Sequence, residues 1–450
     1  MDFSQLTSIN FHRTLDAALP ANWSRSRGSL PPAKVFFTLM HMVGSSLHGY
    51  RNVLDHLHRT VGDYFGWDDT PAASSLSEAR RKLSKEQCRA VFHATRASCV
   101  GLSRFPHKVS YRDYRLLAAD MTKVALPPYQ KVARAFGYPN DRKGKQAGAP
   151  QATLTALWDL STNTPVDWLL ERVYSSEQLA AQKLLEHVGE GDLIIGDRGY
   201  PSRSFFRQIA SKKAAFLVRM KRGRSGTFKE VNAFFEDDSA WDQEILLHET
   251  NARSGEPTIR VRFMKHRLPS GDIAVFATNL FGVRKHHRRA LCDLYRYRWD
   301  IETAFKEMKC WHALENLHAR YAEGVHQEVC ALMTFMLLSA EMESQARGFH
   351  NLEPQAKDHA ASPQAPQEPE FRFNRRQIAE SIMYILAAGL KGPEAVQKEV
   401  AYCMKQFWRY RQRRRPGRSF DRSAKDPNSK YKKTTYNANK NAKNSESLAE

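Results

Sequence analysis

The chain has 450 residues, with 69 Lys and Arg against 48 Asp and Glu, a formal net charge of +21, and 42% hydrophobic residues. Such a length excludes one small domain, and such an apolar content excludes a chain disordered throughout. The cationic surplus points to a polyanionic partner, nucleic acid ahead of a membrane surface, and its clustering near the C-terminus and in short runs argues against a merely solvated basic surface.

The start, MDFSQLTSIN, carries an early acid and no apolar core, so no signal peptide is expected. The longest apolar run, CALMTFMLLSA, is too short to span a bilayer. Six scattered cysteines (Cys88, Cys99, Cys292, Cys310, Cys330, Cys403) include no C-x-x-C pair and read as reduced thiols, neither a disulfide framework nor a zinc site. A soluble cytoplasmic protein with no membrane partner is expected. KVFFTLMHMV and YRNVLDHLHRTV repeat apolar residues at helical spacing. In PAASSLSEARRKLSKEQCRAVFHATRA, Ser74 or Ser75 is placed to cap a helix lined by Arg80, Arg81 and Lys82. A basic helix after helical segments suits a helix-turn-helix reader, and an ordinary amphipathic helix with a solvated face explains it equally well.

The middle changes character. YRLLAAD reads as a buried strand ending on Asp120, and a polar loop, Tyr138 to Pro150, follows. ATLTALWDL and PVDWLLERVY are two strands around the turn STNTP. SEQLAAQKLLEHV is a helix with a Ser cap and an acid in its first turn. GDLIIGD is a short buried strand ending on Asp197, PSRSFFRQIASKK a helix with Pro at its first position, and AAFLVRMKR a further strand. This order implies a mixed sheet with helices packed on it. From about Gly223 to Leu280 the pattern is β-rich, broken by SGE and PSGD turns. One helix is expected from near Arg288 to Lys309 and another over GVHQEVCALMTFMLLSAEM. A Pro-, Ala- and Gln-rich loop (Phe349 to Phe373) comes next, then a helix with Gly389 near its end, then a helix that turns strongly basic, then a polar Lys- and Asn-rich tail.

The stretch YRYRWDIETAFKEMK, Tyr295 to Lys309, carries the chemistry. On one continuous helix, Tyr295, Arg298, Glu302 and Lys309 fall within a sector of about 60°, beside an apolar stripe of Leu294, Ile301, Phe305 and Met308. Alone, this is an exposed face with i,i+4 pairs of about 0.2–0.5 kcal/mol each. Two other acids change the weighing. Asp120 and Asp197 end apolar strands, where a carboxylate is costly unless paired or bound to a cation, although an Asp followed by Gly also caps turns. Three carboxylates suit hard cations such as Mg²⁺ or Mn²⁺, and two ions about 3.5–4 Å apart support phosphoryl transfer. The surrounding Tyr, Arg and Lys then hold a phosphate backbone. Asp192 and Asp159 are reserves should Asp120 or Asp197 prove remote from Glu302. Adjacent His286 and His287 do not face one site on a helix and read as a basic helix start. No G-x-S-x-G elbow or Walker-type loop is present.

The set Y-x2-R-x3-E-x6-K, on Tyr295, Arg298, Glu302 and Lys309, resembles the signature of the IS4-type DDE transposases. LLAADMT at Asp120 and GDRGY at Asp197 are similar to the contexts of that family's first two catalytic acids. AAFLVRMK, ATNL and RPGRSF add to the likeness, which covers roughly residues 30–425. Met121 departs from the Gly usual after the first Asp. The resemblance implies an RNase H-like α/β fold, a mixed sheet flanked by helices, with an inserted β-rich subdomain and an N-terminal helical domain. It divides the chain into a helical DNA-binding part (1–110), a catalytic core in two parts (111–222 and 285–347), the insertion (223–284), and C-terminal helices with a basic tail (348–450). It implies Asp120, Asp197 and Glu302 as catalytic ligands of two Mg²⁺ ions, with Mn²⁺ as substitute, and Tyr295, Arg298 and Lys309 as DNA contacts. Double-stranded transposon ends and target DNA are the implied partners, bound by a homodimer. Trp241 is a candidate stacking surface for a flipped base beside the break, with a core Trp as the plainer alternative. A catalytically silent DNA-binding regulator and a metal-dependent nuclease without strand joining are the rival functions.

Overall fold

Helices open the described chain: α1 (Phe11–Ala18), α2 (Pro32–Gly44), α3 (Tyr50–Phe65), α4 (Ala73–Lys82) and α5 (Lys85–Ser98). The computed structural model describes residues 10–23, 30–45, 47, 49–99, 109, 111–140, 148–223, 228–247, 259–268, 270–312, 314–350 and 371–413. Most of the polar loop before residue 148, the SGE turn, most of the Pro/Ala/Gln-rich stretch, the RPGRSF motif and the basic tail lie outside them. Among the described residues no helix is long and apolar enough to cross a membrane.

The basic N-terminal segment is two helices, not one. Neither Ser74 nor Ser75 caps α4, which begins after Ala72 without a side-chain cap. The extended Leu83 ends it, and Ser84 starts α5 through a capping box. Ser84 Oγ accepts from the Gln87 N–H at 3.1 Å while Gln87 Oε1 accepts from the Ser84 N–H at 2.9 Å. Arg80 is fully buried. It pairs with Glu328 at 2.9 Å and donates to Gln327 Oε1 and the Gly324 carbonyl, each at 3.0 Å, and to Tyr50 Oη.

The sheet region runs β1 (Arg115–Ala125), α6 (Gln130–Phe136), β2 (Gln151–Asp159), β3 (Thr164–Arg172), α7 (Glu177–Leu184), β4 (Asp192–Gly196), α8 (Arg203–Ser211), β5 (Ala215–Arg219), α9 (Lys229–Glu236), β6 (Asp242–Leu247), β7 (Ile259–Arg267) and β8 (Ile273–Thr278). The strands form one eight-stranded sheet in the order β3-β2-β1-β4-β5-β8-β7-β6. β1, β4 and β5 are parallel, and the remaining pairings are antiparallel. The first five strands have RNase H-like order and directions. The inserted strands are therefore separate in sequence only: β8 pairs onto β5, so β6–β8 extend the same sheet. The stretch expected as β-rich also contains helix α9. In the β2–β3 turn, Asn163 takes a left-handed φ of 57°, which Asn tolerates, and its Oδ1 accepts from the buried Trp158 Nε1.

Next come α10 (Arg288–Tyr295), a 3₁₀ turn (Arg296–Arg298), α11 (Trp299–Cys310) and α12 (Ala322–Phe349). The single helix expected from Arg288 to Lys309 is thus broken at Arg296, but its apolar stripe holds: Leu294, Ile301, Phe305 and Met308 are all buried. α12 is buried around nearly its whole circumference because it lies between the sheet and the N-terminal helices, packing on α2, α5 and β3. β9 (Phe371–Arg372), α13 (Arg375–Lys391), α14 (Pro393–Arg409) and β10 (Gln412–Arg413) complete the described chain. Gly389 lies inside α13, and Gly392, at φ 112°, ends it. Pro201 precedes the true cap of α8, Ser202, whose Oγ accepts from the Phe205 N–H at 3.1 Å.

Removing one partner of the buried Arg80–Glu328 pair strands the other charge in the interior. Arg80→Met is expected to lower unfolding free energy by about 3–5 kcal/mol in urea melts, with a smaller loss when Glu328 is replaced by Leu in the same chain.

Candidate active site

Parallel pairing sets the first two acids side by side. Ala118 of β1 is in register with Ile195 of β4, the last pair of that ladder; β4 ends at Gly196, one residue short of the expected strand end, so Asp197 opens the turn beyond it while Asp120 lies two residues past Ala118 in β1. Asp120 falls on the same side of β1 as Ala118, which packs with Ile195 in the core shared with α11 and α12. Asp120 does not end its strand. β1 continues to Ala125 because Met121–Ala125 still pair with β2.

α11 packs against β1 and carries Glu302 on its first turn. Arg298, 6% exposed, lies between two of the acids. Its Nη2 donates to Glu302 Oε1 at 2.6 Å, and its Nη1 stands 3.7 Å from Asp120 Oδ2. Its Nε is buried without a hydrogen-bond partner among the described residues. The Tyr295 hydroxyl donates to Asp197 Oδ1 at 3.4 Å, while its ring lies 4.7 Å from that of Phe276. Burial pushes the Tyr295 phenol up, so it acts as a donor. Burial also pushes Asp120 up to about 6; the Met121 N–H and Arg298 oppose this, and Glu177 and Glu302 add to it.

The expected residues are therefore brought together in part. Asp120, Asp197, Glu302, Tyr295 and Arg298 share one cluster, with Tyr295 and Arg298 turned inward onto the acids. Among the described residues, however, no three acidic, His or Cys side chains converge closely enough to hold one metal ion. Arg298 stands between Asp120 and Glu302, a guanidinium compensating carboxylates that would repel. Lys309 is engaged elsewhere, by the Lys123 carbonyl and by Glu315 at 3.3 Å. The donor chemistry nonetheless fits a hard divalent ion. All the donors are carboxylate oxygens, and the raised Asp120 gains from added positive charge.

The reserve acids are structural. Asp192 is clasped by Arg115 through two hydrogen bonds of 2.8 Å, and Asp159 caps the β2–β3 turn by accepting from the Ser161 and Thr162 N–H groups. His286 is buried and bonded to the Tyr111 hydroxyl at 3.0 Å; burial pushes it down to about 4, which makes it a neutral packing group. Trp241 is half-buried at the foot of β6, with the Arg288 guanidinium over its ring. Two site residues went unread in the sequence, Glu177 and Tyr200. Glu177 looks like an acid complementing a helix N-terminus, and Tyr200 like mere context for Asp197; only the fold brings them together, at 2.6 Å.

The transposase DDE domain family matches residues 111–338 of this chain. The transposase InsG for insertion sequence element IS4 of Escherichia coli (strain K12) is 22% identical over 279 residues. That match spans 60% of this chain and 61% of that protein's length. A piggyBac transposase, solved as a synaptic complex with hairpin DNA, overlays 94% of this chain and 85% of its own at 9% identity and a TM-score of 0.40.

An acid raised by burial and neighbouring acids and an acid clasped by an arginine respond oppositely to neutralisation. Asp120→Asn is expected to raise unfolding free energy by about 0.5–2 kcal/mol in urea melts without divalent ions, whereas Asp192→Asn lowers it by about 1–3 kcal/mol.

Proposed function

Because the chain belongs to the DDE transposases of the IS4 type, we propose that it binds the terminal inverted repeats of an insertion sequence, cleaves the DNA ends and joins the 3′-hydroxyls to target DNA. The observation that carries this reading is the cluster in which Arg298 bridges Asp120 and Glu302 while Tyr295 holds Asp197, on a sheet of RNase H-like order. DDE transposase domains use divalent metal ions. For this chain we assign two Mg²⁺ ions, replaceable by Mn²⁺, which when bound activate water and stabilise the leaving oxygen.

The chain's own residues divide the remaining work. Asp120 presents its oxygens from β1, Asp197 from the turn that follows the adjacent β4, and Glu302 from the facing helix. Tyr295 and Arg298 exchange their carboxylate partners for phosphate oxygens beside the scissile bond when DNA binds. Lys309 sits one helix end away, where it contacts the backbone farther along the duplex. The N-terminal helices and the basic tail supply much of the remaining DNA affinity; Arg80, buried against Glu328, contributes none. A dimer on paired ends places two such sites on one synapsed complex.

With end-labelled DNA bearing the element's terminal repeats and Mg²⁺, cleaved ends followed by strand-joined products are expected. Cleavage without joined products supports a nuclease instead. Glu302→Gln should lower cleavage by about 10³-fold, the scale of several kcal/mol of transition-state stabilisation, and full cleavage by that variant would remove Glu302 from the site. End binding should weaken by about 10³-fold or more between 50 and 200 mM salt, as for about six neutralised phosphates, and a flat salt profile would contradict a backbone-dominated interface.

A further inference from the structure

Glu177 opens α7, and Tyr200 closes the turn that follows β4. The Tyr200 side chain is 2% exposed, and its hydroxyl donates to Glu177 Oε1 at 2.6 Å. Its own N–H donates to the Asp197 carbonyl at 3.1 Å. One residue along α7, Gln178 Nε2 donates to the Gly199 carbonyl at 2.6 Å. The first turn of α7 thus grips the Asp197–Tyr200 turn at two successive residues. On the other side, Gly196, the last residue of β4, pairs with Val218 of β5, and a Cβ there would meet the Val218 side chain at 3.0 Å, so the chain entering this turn is anchored in the sheet. The turn that aims Asp197 is held between β5 and α7.

We propose that Glu177 and Tyr200 form a positioning pair that fixes the Asp197 turn for divalent-ion binding, with Glu177 acting through the Tyr200 hydroxyl. The plain alternatives are that a buried phenol has merely found an acceptor and that an acid merely complements a helix N-terminus. Neither requires the pair to close on the turn bearing the second acid. Nor does either require an acid near enough to Asp120 for its charge to act on that carboxyl. A carboxylate added beside other carboxylates is an expensive way to satisfy a phenol, and it is accounted for when the same contact aims an ion-binding side chain.

This inference rests on the reading of Asp197 as an ion ligand. The test is a Mn²⁺ titration of the full chain without DNA, followed by electron paramagnetic resonance, with folding checked by thermal melts. Tyr200→Phe keeps the ring and removes the hydroxyl; Glu177→Ala removes the acceptor; Glu177→Gln keeps an acceptor and removes the charge. Positioning predicts that Tyr200→Phe and Glu177→Ala each weaken Mn²⁺ binding about three- to tenfold, that the double variant is no worse, and that Glu177→Gln stays within about twofold of the parent. Lower melting temperatures with unchanged Mn²⁺ affinity would reduce the pair to a packing role and overturn the proposal. So would a loss in Glu177→Gln matching Glu177→Ala while Tyr200→Phe binds normally, because Glu177 would then act by its charge. If Asp197→Asn binds Mn²⁺ as the parent does, the ion-ligand reading itself is lost, whatever Tyr200→Phe shows.

Discussion

Acids assembled at one place on a sheet need positive charge among them, and in this chain Arg298 supplies it. Its guanidinium is nearly buried, bonded to Glu302 and within ion-pair range of Asp120. Each of these groups has already lost much of its hydration, so their interaction is stronger than that of a surface pair, and so is the penalty for leaving one unmatched. The raised Asp120 shows that the compensation is incomplete: burial and neighbouring acids outweigh the single guanidinium. A site balanced in this way still favours more positive charge, which is the electrostatic state that suits the proposed binding of divalent ions.

The break in the Arg288–Lys309 segment follows from the same requirement. On an unbroken α-helix, Tyr295 and Glu302, seven residues apart, point within about 20° of one another. The 3₁₀ turn Arg296–Arg298 advances about 120° per residue instead of 100°, so three residues add about 60° of rotation. Tyr295 is thereby turned toward Asp197 while Arg298 and Glu302 face Asp120. One polar strip serves both strand acids because the helix is not regular.

What the sequence made legible divides along physical lines. Periodicity located the strands around Asp120 and Asp197, and the apolar stripe of Leu294, Ile301, Phe305 and Met308, because burial on one face leaves a repeat in the chain. The motif spacing brought Tyr295, Arg298 and Glu302 to one place. Lys309 was read into the same place, but its ammonium finds the Lys123 carbonyl and Glu315. What stayed hidden depends on contacts distant in sequence. Arg80 reads as a surface cation beside Arg81 and Lys82, yet its partner, Glu328, lies 248 residues away. Glu177 and Tyr200 belong to different motifs, and only the crossing of α7 over the β4 turn joins them. That β1 runs on past Asp120 is likewise invisible locally, since MTKVA is strand only because β2 lies beside it.

The inserted strands bear on the site through a second buried arginine. Arg262 of β7 is clasped by Asp242 of β6 at 2.6 Å and 2.7 Å, and its Nη1 donates to the Leu280 carbonyl at 3.1 Å and the His286 carbonyl at 2.7 Å. Those carbonyls lie in the connection between β8 and α10, and the Arg288 guanidinium adds a bond to the Lys265 carbonyl of β7. A connection is the part of a fold most free to wander, and here three hydrogen bonds with Arg262 and Lys265 of β7 pin it and the start of α10, while Asp242 of β6 holds Arg262 in place. Because β8 is itself hydrogen-bonded to β5, the pinning is referred back to the strand next to the Asp197 strand. The insertion therefore does more than lengthen the sheet: it transmits the sheet's register to the start of the helical segment bearing Tyr295, Arg298 and Glu302. An acid on a helix remote in sequence can be aimed at acids on strands only if something fixes where that helix begins, and the β6–β7 brace is what does so.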